Sequence, residues 1–115
     1  MTPHDLTTEL LRLSTLLDEA LRALRDRGRL LAERERDYRL ERAKAWLTAT
    51  EGTAKQREDQ VNALTSTERY GRDLADHDRQ AAQEAVRNYR TQLSALQTIA
   101  NVAKAEAELA GRGPQ

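Results

Sequence analysis

The chain has no cysteine and no phenylalanine, and its 115 residues include one tryptophan, three tyrosines and two prolines. Without cysteine there is no disulfide framework and no thiol chemistry. So few large apolar side chains cannot fill a thick globular core, because burial gains only about 25 cal/mol per Å². No run approaches the roughly 18 consecutive apolar residues of a membrane span, so no membrane association is expected. Excess charge is missing too, since nineteen basic and nineteen acidic residues cancel. A neutral total argues against a chain that simply coats nucleic acid or an anionic membrane.

What remains is mostly Ala, Leu, Arg, Glu, Asp and Gln, which form helices or are tolerated on helix surfaces. Charged residues make up 33% and hydrophobic residues 38%, the mixture of long helices and coiled coils when it carries a 3.5 to 3.6 period. The first residues, "MTPHDLTTEL", are acidic rather than basic and lack a secretory apolar block. A soluble protein of the cytoplasm is expected.

The pattern reads as one all-α domain over 1–115, an antiparallel two-helix hairpin of long, coiled-coil-like helices. Thr2 as N-cap, Pro3 in the first helical position and Asp5 at the third open helix one. Its apolar stripe is Leu6, Leu10, Leu13, Leu17, Leu24, Leu31, Tyr38 and Ala45, and the helix is expected over 3–49. Residues 50–52 make the bend, with Gly52 free to take a positive φ. Thr53 and Gln56 supply a second capping box. Helix two is expected over 53–110, with Val61, Leu64, Gly71, Ala75, Ala82, Ala85, Tyr89, Leu96, Ile99 and Ala103 on one face. Gly111 reads as the residue after its end and Pro114 as the stop beyond, leaving a tail of 111–115. Thr65 and Glu68 form a further capping signal, so a kink or break near residues 65–67 is the alternative, leaving a short helix 53–64 between two helices of similar length.

A bend near Glu51 places Gly71 opposite Leu31 and Ala75 opposite Gly28, and the small residues would allow a close helix approach at Gly28. In that register Pro3 falls opposite residue 99. The end of helix two, carrying Ile99, Val102 and Leu109, then overhangs and is expected to pack on a partner subunit or another protein. Trp46 lies one turn before the bend and is expected to seal the tip; with Leu47 it is also a candidate partner anchor. Leu11, Leu40, Leu47, Leu74, Val86 and Leu93 lie off the main stripe and offer a second apolar surface.

Catalytic chemistry has little to stand on. The histidines are His4 and His77, and Ser14, Ser66 and Ser94 have no base placed beside them. Asp73 and His77 lie one turn apart, with Glu84 two turns on, but the Glu-x-x-His repeats and facing carboxylates of a helical metal site are absent. No enzyme activity, metal or cofactor is expected. Charge patterning is more informative. Arg22, Arg25, Arg29, Arg36 and Arg39 fall within an arc of about 100°, away from the leucine stripe. Such an arc could track a phosphate backbone. Asp18 and Glu35, each four residues before an arginine of this set, suit an ordinary salt-bridged surface instead. Aromatic interleaving, which single-strand binders use, is missing.

The segments "RAKAWL", "EGTAKQRE" and "YRTQLSALQ", with "AKAEAELAG" after them, resemble a diffuse group of small helical proteins encoded by phages of actinobacteria. The likeness covers about residues 38 to 111 and implies an accessory protein, with no activity to carry over. Secreted helical hairpins with a Trp-x-Gly loop do not match, because Trp46 is followed by Leu47 and Thr48. The expected function is therefore a non-enzymatic interaction module, a homodimer that also contacts a host or phage protein in the bacterial cytoplasm. Nucleic-acid binding through the arginine arc stands second.

Overall fold

The first helix opens as its residue types require. Asp5 N–H donates to Thr2 Oγ1 at 3.1 Å, and Thr2 N–H donates to Asp5 Oδ2 at 3.2 Å. Two donors that a helix start leaves unpaired are thus satisfied reciprocally. In the computed structural model, which describes residues 2–112, this helix is α1, Pro3–Thr48. At its far end the Thr48 hydroxyl donates back to Ala45 O at 2.9 Å. The chain turns at Gly52, whose φ of 96° is the one positive value among the described residues. A Cβ there would lie 2.7 Å from Gln56 Oε1. That oxygen accepts from Thr53 N–H at 2.9 Å while Thr53 Oγ1 accepts from Gln56 N–H at 3.1 Å. Only glycine serves both the turn and the cap.

The second helix is divided. α2 covers Ala54–Leu64 and α3 covers Ser66–Gly111, so the single helix expected over 53–110 is replaced by the alternative with a break. The cause is Thr65, which takes φ −110° and ψ 12° and is 1% exposed. Its hydroxyl donates to Val61 O at 2.7 Å, turned back along α2. No bond joins it to Glu68 N–H among the described residues, so the capping signal marks the break without forming a box. Hydrogen bonding resumes at once, with Arg69 N–H on Thr65 O at 3.0 Å. α1 and α3 are then equal in length, at 46 residues each. Gly111 is the last residue of α3 and is helical, and Arg112 N–H closes the helix on Glu108 O and Leu109 O. Pro114, read as the stop, lies outside the described residues.

The fold is all-α, and α1 and α3 pack antiparallel. The chain divides into two compact units, one of Met1–Arg22 with Gln83–Gln115, the other of Ala23–Ala82. In the second unit Ala45, Ala49 and Val61 form the buried cluster behind the bend, and Val61 is fully covered. Arg42 Nη1 donates to Asn62 Oδ1 at 2.8 Å and Arg27 Nη1 to Asp78 O at 3.2 Å, fixing α1 against α2 and α3. The Arg72 guanidinium sits 4.6 Å from the Tyr38 ring centre. In the first unit Leu13 and Val86 are buried, Val86 having been expected on an outer surface.

The α1 stripe is sound, since all eight of its members are buried or half-buried. Register is where the expectation fails. A Cβ on Gly71 would meet Arg34 Cδ at 3.9 Å, about a turn beyond Leu31, and one on Gly28 would meet nothing within 4 Å. The close approach proposed for Gly28 is therefore absent. The offset is already present before the break, since Arg42 bonds Asn62 and Ala45 packs with Val61, and it continues in α3, where Arg27 bonds Asp78.

Candidate functional site

The arginines of α1 divide by face. Those turned toward the other helices are used: Arg27 and Arg42 in the bonds above, and Arg34 through its stem against Gly71. Arg25, Arg29, Arg36 and Arg39 lie exposed on the outer arc of the second unit, and Arg22 is exposed at the edge of the first. Arg36 pairs with Asp37 at 3.5 Å. Among the described residues, no ion pair engages Arg22, Arg25, Arg29 or Arg39; the pairs expected from Asp18 and Glu35 are not made.

The tip does not use its tryptophan as a seal. Ala45, Ala49 and Val61 close the bend, and Trp46 is left 40% exposed. Leu47 beside it is 80% exposed, and Leu40 and Leu64 are exposed as well. Leu64 was expected on the inner face, and it is exposed.

In the first unit, Ile99, Val102 and Leu109 are all exposed. Ile99 has a neighbour nonetheless. With Ala100, Ala103 and Ala107 it lines a cleft of about 390 Å³ whose other wall is Pro3, Leu6 and Leu10 of α1. The start of α1 thus stands opposite Ala107 rather than residue 99, and the long overhang does not exist. Its removal follows from the shifted register. Sequence reasoning missed this cleft because the register it expected left the residues beyond 99 without a facing helix.

Polar geometry elsewhere is local. Glu9 accepts from Arg12 Nε at 3.0 Å, and a second, short contact joins Arg12 Nη2 to Glu9 Oε1. The hydrogen bond from Arg12 lowers the Glu9 pKa and raises that of Arg12. Arg72 donates to Asp73 Oδ1 through Nη2 at 2.8 Å, which raises the arginine's pKa. Asp73, weighed above with His77, is thereby engaged. Among the described residues no group of three His, Cys, Asp or Glu side chains could hold a metal ion, and no helix is long and apolar enough to cross a membrane. Ser66 Oγ donates to Ala63 O at 3.2 Å. No protein family, curated protein or solved structure matches this chain.

Proposed function

We propose that this protein is a non-enzymatic helical interaction module that self-associates as a dimer. One observation carries the reading. Among the described residues, five of the eight buried apolar side chains are alanines, while twelve large hydrophobic side chains are exposed. Alanines bring helices close but bury little area, and small folds are marginal even with full cores. A second copy is the partner always at hand to cover the remainder. On this reading the dimer presents its other exposed side chains, Trp46 and Leu47 among them, to a host or phage protein in the bacterial cytoplasm. That role agrees with the resemblance to phage-encoded accessory proteins. Sedimentation equilibrium from about 1 to 100 µM, near the affinity expected of a small interface, should show a monomer–dimer equilibrium. A fully helical monomer throughout that range would end the proposal.

The unpaired outer arginines favour a second reading, nucleic-acid binding along α1. Phosphate contacts release counterions, so log affinity should fall with log salt by about 0.9 per contact. Substituting Arg25→Ala and Arg29→Ala together should make that slope shallower by about 2. The check is fluorescence anisotropy with labelled single- and double-stranded DNA and RNA. Absence of binding to all of them at low salt removes this reading.

A further inference from the structure

Trp46 stands at the end of a ridge. On the outer side of α1, within the second unit, Arg25, Arg29, Ala32, Arg36, Arg39, Ala43 and Trp46 follow one another at steps of 4, 3, 4, 3, 4 and 3. At about 100° per residue they fall within an arc of about 100°. Every one of them is exposed. No acidic residue shares the arc, because Asp26 and Glu33 stand to one side of it and Glu35 to the other.

The ridge carries the two kinds of group that hold a single nucleic-acid strand. Guanidiniums are the first. Among the described residues Arg25, Arg29 and Arg39 make no ion pair, and Arg36 meets Asp37 at 3.5 Å in a largely exposed pair of the kind that contributes little. From Arg25 to Arg39 these cations extend over about 21 Å of helix, at about 1.5 Å per residue. The indole is the second. Trp46 is 40% exposed and lies two turns beyond Arg39 on the same arc. Ala32 and Ala43 are the small members of the row and leave space between the longer side chains.

A duplex suits this ridge less well. Its bases are stacked inside and offer Trp46 no face, and its two backbones would meet a single line of cations. An acidic peptide would answer the arginines alone. A single strand has one backbone and open base faces, and stacking on an aromatic ring tolerates any base. We propose that the ridge binds single-stranded nucleic acid, its arginines following the phosphates and Trp46 stacking on a base. The inference rests on the nucleic-acid reading above and assigns Trp46 to that ligand rather than to a protein partner. The aromatic that the arginine arc lacked in the sequence is supplied by Trp46, because Ala45, Ala49 and Val61 close the bend without it.

The test uses the full chain and an oligodeoxythymidylate of about 15 nucleotides, within the usual range of site sizes. Trp46 is the only tryptophan, so its emission reports on this position alone. At low salt the oligonucleotide is expected to quench that emission saturably, and a duplex of equal length to leave it unchanged. Trp46→Leu, followed by anisotropy of a labelled strand, should bind about 10-fold more weakly with the same salt slope, as the loss of one stacked base predicts. Arg36→Ala with Arg39→Ala should make the slope shallower by about 1.4, for two single-strand contacts. Tyr70→Leu changes an exposed aromatic of α3 and should stay within about twofold of the parent. All these changes fall at exposed positions, so circular dichroism should match the parent. A Trp46→Leu chain that binds the single strand as tightly as the parent overturns the inference, as does duplex binding of equal strength without quenching. Either result leaves the nucleic-acid reading standing. Quenching by polyglutamate equal to that by the oligonucleotide also overturns the inference. Absence of binding to any nucleic acid removes both.

Discussion

Replacing Val61 by aspartate should unfold the bend end of the molecule. Val61 is fully covered, in a cluster otherwise made of Ala45 and Ala49. Neither alanine can pair with a carboxylate, and an aspartate turned back toward the buried Arg57 Nε one turn earlier would still leave the cluster without its valine. An uncompensated buried charge costs about 3–5 kcal/mol, a large part of a small fold's total stability. Val61→Ala, which removes only apolar contact, should cost about 2 kcal/mol. Urea unfolding followed by circular dichroism separates the two, and Trp46, the only tryptophan, gives a local signal from the same bend. Its emission should move to the red in Val61→Asp without denaturant. Wild-type emission together with a loss under about 1 kcal/mol, within the range of ordinary surface changes, would show that Val61 does not hold the bend.

Much of this fold was legible because helices signal their own ends. Thr2 with Asp5, Thr53 with Gln56, and Gly52 each carry out locally the role that their types suggested. Those devices depend on residues three or four positions apart, which a sequence displays directly. The α1 stripe was legible for the same reason, since a repeat of three and four residues can face only one way on a helix.

Register was not legible, because it is set by contacts between helices, which no local spacing displays. Thr65 could cap the helix that follows or bond back to the helix before it, and it does the second. Thr65 is buried, a tertiary property that its sequence neighbours do not display. The α3 partners differ from those expected of a bend at Glu51, so the overhang and the pairing of Gly28 fail together, and Leu64 is exposed. The candidate site divides similarly. The outer arginine arc follows from spacing on α1 alone, whereas the cleft needs two helices in register and could not be read from either.

The sharpest contrast between face and composition lies in two leucines only two positions apart. Leu13 is 2% exposed, and Leu11 is 66% exposed. Among the described residues Leu13 is the one leucine in the buried core, so Leu13→Ala should leave a cavity, at a cost of about 2–5 kcal/mol. Leu11→Ala removes the same atoms from water-facing surface and should change stability by less than about 0.5 kcal/mol. With roughly 4 °C of melting temperature for each kcal/mol in a domain of this size, the first variant should melt on the order of 10 °C or more below the second. Self-association adds a condition to the measurement. A dimer stabilised by mass action melts higher at higher protein concentration, so both variants and the parent must be compared at matched concentrations. The gap between Leu13→Ala and Leu11→Ala should persist at each of them, because it arises inside one chain. A gap that closed on dilution would place Leu13 in the contact between copies rather than in the core of the unit that contains it.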